Sequence, residues 1–461
     1  MAVDINFSLL LLSNCLIAIN VSWIAIFILS IRSYHVTPRI DRGFNTRPRL
    51  QAISLSASSH QSVENVIGPS NRSGDLSNIS LPFVSIIIPA RNEEKNIKKC
   101  LSSLLNQNYP NFEVIAIDDS STDNTLQIMN KIKKENDTDG LETIIQTSKF
   151  KIISLTDKPQ GWTGKAWASH QGYLHAQGEI LLFTDADTCF FDNDAILHAV
   201  SYLQNESLDV LTGHARLELP DFWSKIIMPL WDFFSIIRDQ NPTAVNNTSS
   251  PAAYLVGSFY MMHRRVLEIV GGFQSVQGAI KEDVELGLHI KRAGFKLKIA
   301  RMDKFYSALW SRDFLSLWHG IGRTFLPMSK HRVETSILSL FFLAILPCLI
   351  FPYSLSSYTA AVRQHNQISF NDLISSLILI LNMSSCIMII IGIAIKDVKN
   401  YSISVVYSLL TFPAALLLIS ACIANIVHFL GRSKRVQWRD RTYEYNRENK
   451  INLLFGKREP D

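Results

Sequence analysis

Cysteine is scarce and unpatterned. The 461 residues include six, none at metal-ligand spacing, and Cys15, Cys348, Cys386 and Cys422 lie inside apolar runs. Neither a disulfide framework nor a zinc site follows from them. Charge is thin as well: charged residues make up 18% of the chain, the net charge is +5, and basic and aromatic residues do not interleave. No nucleic acid partner is expected from such a surface. A P-loop is also missing. Gly161-Trp-Thr-Gly-Lys165 is too short for it, which argues against an ATPase.

Apolar sequence is what the chain has in excess. It amounts to 47% of residues, and mean hydropathy is slightly above zero. The excess is gathered into runs at 8–31, 336–358, 373–395 and 401–430. Each is long enough to cross a ~30 Å hydrocarbon core. The first is too long for a signal-peptide core and lacks a basic leader and a cleavage site, so residues 1–35 are expected to be a membrane helix. Arg32, Arg39, Arg42, Arg47 and Arg49 follow it and place the next domain in the cytoplasm. Residues 36–80 are rich in Ser and Asn without periodicity, and are expected to be a disordered linker. A globular domain is expected over 81–330, membrane segments over 331–431 and a basic tail over 432–461. Three full spans after a cytoplasmic domain would leave the C-terminus outside. Arg432, Lys434, Arg435, Arg439 and Arg441 argue for inside, and Pro347 and Pro352 make 336–358 a candidate re-entrant segment. The C-terminus is therefore expected in the cytoplasm.

Between the membrane runs, strands alternate with helices. Strand 82–89 turns through Ala90-Arg-Asn-Glu-Glu94 into a helix, and strand 112–117 closes on Asp118 and Asp119. Strand 150–154 leads through a loop into a helix that carries Lys165, and the four apolar residues from Ile180 to Phe183 end on Asp185-Ala-Asp187. Such βαβ units predict a mostly parallel, Rossmann-like α/β sheet, whose ligands sit at the carboxyl ends of the strands. Two carboxylates on a tight turn at that edge suit a hard divalent cation shared with phosphate oxygens. Asp137-Thr-Asp139 and Asp192-Asn-Asp194 have the same spacing but follow no buried strand. Asp118 and Asp119 can accept hydrogen bonds from a base N–H or a ribose hydroxyl, or serve the following helix as caps. Lys165, beside helix N-terminal amides, favours a diphosphate.

The run of motifs Val84-Ser-Ile-Ile-Ile-Pro-Ala-Arg-Asn-Glu-Glu94, Asp118-Asp-Ser-Ser-Thr-Asp123, Phe183-Thr-Asp-Ala-Asp187, Gly257-Ser-Phe-Tyr, Gly271-Gly-Phe273 and Glu282-Asp-Val-Glu-Leu286 resembles family-two inverting glycosyltransferases of the GT-A fold. The resemblance covers residues 82–325. Within that family it is most similar to membrane-bound enzymes associated with hopanoids and carotenoids, and more distantly to ceramide glucosyltransferase. It implies donor-nucleotide binding at Pro89, Ala90, Arg91, Glu93, Asp118, Asp119, Lys165 and Asp185, and Mg²⁺ or Mn²⁺ at Asp185 and Asp187. It further implies Asp283 as general base, with Glu282 the weaker candidate, and Glu282 and Arg323 towards acceptor or phosphate. From composition alone Glu282 and Asp283 are equally first-turn acids that complement a helix dipole. The Gln-x-x-Arg-Trp of processive relatives is reduced to Arg323, so transfer of a single sugar is expected. The implied reaction moves a sugar from a nucleotide donor, a UDP-sugar, to a membrane lipid; the alternative is a polyprenyl-phosphate sugar transferase resembling dolichol-phosphate-mannose synthase. Segment 222–237 carries two Trp and three Phe. It is expected to lie in the headgroup zone, with a buried core helix as the other reading.

Overall fold

A computed structural model of the chain describes residues 25, 28–29, 31–41, 81–138, 149–238, 241–329, 370–396, 398, 401–430, 435–438, 441–445 and 451–452. Most of the first apolar run, the linker from 42 onwards, the insertion at 139–148 and the run 336–358 lie outside the described residues. The chain divides into two compact units. One is formed by Pro38–Leu217, Ala244–Leu309 and Val436–Asp461, the other by Met1–Thr37, Glu218–Thr243 and Trp310–Arg435.

The first unit is α/β. Its elements run β1 (Val84–Ala90), α1 (Ile97–Leu105), β2 (Phe112–Asp119), α2 (Thr125–Thr138), β3 (Lys149–Leu155), α3 (Gly164–His175), β4 (Ile180–Phe183), β5 (Thr188–Phe190) and α4 (Ala195–Asn205). They continue as β6 (Val210–His214), β7 (Arg216–Glu218), β8 (Tyr260–His263), α5 (Arg264–Ile269), α6 (Glu282–Arg292), β9 (Leu297–Arg301) and β10 (Tyr306–Leu309). A seven-stranded sheet has the order β3-β2-β1-β4-β8-β6-β9. All its pairings are parallel except those of β8, which runs antiparallel to β4 and β6. The first four strands and their helices thus stand as the sequence predicts. The register brings Ala90 level with Asp118, and Asp118 level with Ser154, so the polar strand ends form one edge.

The apolar strand sequences explain why both faces are covered. Successive side chains of a strand point to opposite faces. Ile86, Ile88, Val114 and Ala116 enter one core with α1 and α4; Ile87, Ile115 and Ile117 enter the other with α3. Helix α3 can lie close to the sheet because position 172 is glycine. A Cβ there would stand 2.5 Å from Ile87 Cγ2 and 2.7 Å from Ile117 Cδ1. At the opposite end of the sheet from the polar edge, the buried Glu113 accepts from Ser85 Oγ at 2.7 Å and Gln177 N at 2.7 Å, and pairs with Lys151 Nζ at 2.7 Å. Burial raises its pKa, but those partners outweigh it and hold the carboxyl below its ordinary 4.5.

Three short strands, β11 (Arg435–Trp438), β12 (Arg441–Tyr445) and β13 (Ile451–Asn452), form a further sheet in the stretch expected to be a basic tail.

The second unit is helical. It contains the helices Phe222–Arg238, Phe314–Ser329, Phe370–Lys396 and Thr411–Leu430. The first packs against the second and the fourth. Segment 222–237 therefore belongs to this unit rather than to the α/β domain. Its two tryptophans separate: Trp231 is 4% exposed beside Trp310, with ring centroids 6.3 Å apart, whereas Trp223 is 38% and Phe222 47% exposed. Among the described residues one stretch, Val405–Ala424, is long and apolar enough to cross a membrane. On the helix Phe370–Lys396 the exposed residues Leu377, Ile380, Met383, Ile387, Ile391 and Ile395 recur every three or four positions, giving an outward stripe that is apolar apart from Ser384 among the described residues.

Candidate active site

The polar edge carries two groups of side chains. The first surrounds the end of β4. Lys165 is the second residue of α3, whose N-terminus is capped by the Thr163 hydroxyl accepting from Ala166 N at 3.3 Å. Its Nζ lies 2.6 Å from Asp185 Oδ1 and 3.3 Å from Glu282 Oε1. Burial alone would drive this ammonium towards neutrality. Asp185, Glu282 and Asp283 outweigh that and hold it charged, well above an ordinary lysine. Glu282 is 2% exposed. Burial and the neighbouring Asp283 push its carboxyl up to about 7, against the pull of Lys165. The buried Tyr260 hydroxyl faces the same group and has no hydrogen-bond partner among the described residues; burial raises its pKa as well.

Glycine at position 257 keeps a space open between these side chains. A Cβ there would meet Asp283 Oδ2 at 2.9 Å, Lys165 Nζ at 2.9 Å and Asp185 Oδ2 at 3.6 Å. Asp283 sits in the first turn of α6, one residue inside the helix start. Its Oδ1 accepts from Val284 N at 2.8 Å, so Oδ2 is the oxygen that borders the space. Asp187 is partly exposed beyond Asp185. Among the described residues no three His, Cys, Asp or Glu side chains stand close enough to cage a metal ion. The donor set fits a hard cation that takes two carboxylates, Asp185 and Asp187, and completes its shell with phosphate oxygens of a ligand.

The second group joins the ends of β1 and β2. Arg91 Nη1 donates to the carbonyls of Asp119 and Ser120, both at 2.6 Å. Asn92 N donates to Ser121 Oγ at 3.1 Å, Thr122 N donates back to Asn92 Oδ1 at 2.9 Å, and Glu93 N donates to Thr125 Oγ1 at 2.8 Å. Asn92 and Ser120 hold left-handed φ values of 53° and 54°. Non-glycine residues keep that conformation only where surrounding bonds impose it, and functional loops are the usual place. Asp118 is buried. Its Oδ2 accepts from Ser121 N at 3.3 Å, and its Oδ1 has no partner among the described residues. Asp119 is 4% exposed and is gripped from β12: Arg441 Nη1 lies 2.5 Å from its Oδ2 and Nη2 lies 3.1 Å from its Oδ1.

The structure thus brings together Lys165, Asp185, Glu282 and Asp283 in one cluster, and Arg91, Asp118 and Asp119 in another, with Pro89 and Ala90 at the end of β1. Arg323 lies on the helix Phe314–Ser329 of the other unit, and its side chain is outside the described residues. Two cations near Asp119 do not figure among the residues expected from sequence. Arg441 counted there only as one of five basic residues after an apolar run. Lys158, in the loop before α3, donates to Trp162 O at 2.7 Å. Burial and Arg441 lower its pKa to about 8, against the pull of Asp119.

Residues 85–271, which hold most of the mostly parallel α/β sheet, match the model of glycosyl transferase family 2. The chain is 31% identical over 250 residues to a beta-monoglucosyldiacylglycerol synthase from Nostoc sp., which covers 52% of this chain and 47% of the relative. It is 35% identical over 136 residues to a dolichyl-phosphate beta-glucosyltransferase from Saccharomyces cerevisiae, covering 28% of this chain and 38% of the relative. A solved mannosyltransferase from Pyrobaculum calidifontis, in complex with GDP-Man and Mn²⁺, aligns over 89% of this chain and 99% of its own, with a TM-score of 0.46 and 19% identity. The chain spans about half the length of the Nostoc relative.

Proposed function

We propose that this chain is an inverting glycosyltransferase that moves one sugar from a nucleotide-diphosphate donor, a UDP-sugar, to the hydroxyl of a membrane lipid. The observation that carries the reading is the convergence of Asp185, Lys165 and Asp283 on the space beside Gly257, at the carboxyl edge of the sheet. In a single displacement the acceptor oxygen attacks the anomeric carbon from the side opposite the diphosphate. The bond from that carbon to the diphosphate oxygen breaks, the nucleoside diphosphate leaves, and configuration inverts. The acceptor proton goes to Asp283 Oδ2, the oxygen not committed to the helix backbone. Glu282 is less suited to that task, because it is buried and held by Lys165. Lys165 supplies a fixed positive charge for the developing charge on the diphosphate. Asp185 and Asp187 would hold Mg²⁺ or Mn²⁺, which when bound supplies Lewis-acid stabilisation of the leaving group.

A lipid acceptor is supported by the apolar outward stripe of the helix Phe370–Lys396 and by the apolar stretch Val405–Ala424, which suit an integral membrane protein with its α/β unit in the cytoplasm. The name of the Nostoc relative points to a diacylglycerol acceptor. That of the yeast relative favours a second reading, transfer to a polyprenyl phosphate.

Membranes from cells expressing the protein, supplied with labelled UDP-glucose or GDP-mannose, separate these readings. Label is expected in a glycolipid stable to mild acid. Label in an acid-labile lipid favours the polyprenyl phosphate, and label in a long water-soluble polymer overturns single transfer.

A further inference from the structure

Arg441 and Asp119 are 322 residues apart in sequence, and the intervening chain includes Glu218–Thr243 and Trp310–Arg435 of the helical unit. The pair is nonetheless two-pronged, which fixes direction as well as distance. Its carboxylate partner ends β2 at the nucleotide-side edge of the sheet, two positions before Ser121, whose backbone N–H holds Asp118. With Arg91 and Lys158 acting on the same carboxylate, three cations surround it. Burial raises the pKa of Asp119, and these cations oppose that rise. A guanidinium occupying both oxygens leaves Asp119 little surface for a ligand. The neighbouring Asp118 Oδ1, buried and without a partner, is the acceptor that remains.

We propose that Arg441 is a positioning residue of the donor site: the C-terminal strand β12 locks Asp119, and Asp118 is left to receive a hydrogen from the nucleoside. This rests on the nucleotide-sugar reading above. Arg441 acts through Asp119, so it sets donor affinity and has no part in the displacement itself. Asp119, Arg441 and the loop pinned by Arg91 form one rigid wall, and loosening any part of it frees Asp118.

The test uses the full-length protein in detergent, with UDP and GDP as probes in calorimetry and with donor kinetics on the same samples. Arg441→Ala is expected to weaken the preferred nucleotide by at least about tenfold, equivalent to ~1.4 kcal/mol. Turnover at saturating donor is expected to stay within about twofold, the pattern of lost ground-state binding. Arg441→Lys should recover part of the affinity and Arg441→Gln should not, each checked for an unchanged melting temperature. Asp119→Asn combined with Arg441→Ala should bind no worse than the weaker single variant, because the two act as one unit. Wild-type affinity in Arg441→Ala and Arg441→Gln, or fully additive losses in the double variant, overturns the inference alone. A wild-type protein that binds neither nucleotide overturns the glycosyl-transfer reading and this inference with it.

Discussion

Two adjacent carboxylates in the first turn of α6 have opposite surroundings. Glu282 is buried against an ammonium, and Asp283 presents one oxygen to open space. Asp283→Asn is therefore expected to bind nucleotide normally and to lose about 10²–10⁴-fold in turnover, the usual size of a general-base contribution. Glu282→Gln should instead perturb Lys165 and show itself first in donor affinity. Reversal of those two outcomes would transfer the base to Glu282. Asp185 makes a separate expectation. Replacing it with Ala removes a partner of Lys165 and, under the proposed reading, a metal ligand, so donor binding is expected to lose any dependence on Mg²⁺ or Mn²⁺. Calorimetry with and without EDTA measures this. The acids at strand ends were legible from local pattern, since each follows a run of buried apolar residues. Their pairings were not: Lys165 reaches Asp185, and Arg441 reaches Asp119, across loops whose geometry no short motif encodes.

At the level of elements, the packing of α3 and the anchoring of β2 bear the strain of substitution. Gly172→Val is expected to destabilise by about 1–3 kcal/mol, because the sheet under α3 has no room for the added carbons. Its melting temperature against wild type measures this. Glu113→Gln removes the charge that Lys151, Ser85 and Gln177 converge on, and should cost roughly 1–3 kcal/mol at neutral pH. The sign with pH follows from a folded-state pKa below the ordinary 4.5. The stabilisation is full above 4.5 and is lost as pH falls through the lower folded value, so the melting-temperature gap to wild type should close in acid. The order of strands and helices from β1 to β4 could be read from alternating apolar and polar stretches. The antiparallel insertion of β8 could not, because a run of four residues gives no signal of direction. Segment 222–237 had two readings, and packing divides them: Trp231 is core, while Phe222 and Trp223 are exposed.

For the whole molecule, the two exposed aromatics are the ones to change. Phe222→Ser with Trp223→Ser should lower activity on an acceptor embedded in vesicles more than on a short-chain analogue in detergent; equal losses would assign both residues to packing alone. The chain leaves the α/β unit after Leu217 and again after Leu309, and each time it returns. A bilayer crossed during either excursion must be crossed an even number of times. The first excursion holds one helix of 17 residues, so under the membrane reading it lies along the surface. Among the described residues the second holds the helices Phe314–Ser329, Phe370–Lys396 and Thr411–Leu430.

The grip of Arg441 on Asp119 also imposes an order in time. At ~5–20 residues per second of synthesis, the 322 residues between them take roughly 16–64 s to make. Throughout that interval the buried acid beside Asp118 has Arg91 and Lys158 near it but lacks the guanidinium that grips both its oxygens. The α/β sheet can fold while the apolar helices are still emerging, but its nucleoside wall closes only when the last strands arrive. Under the proposed function, a chain still on the ribosome binds donor poorly, and competence begins only after its apolar helices have been made.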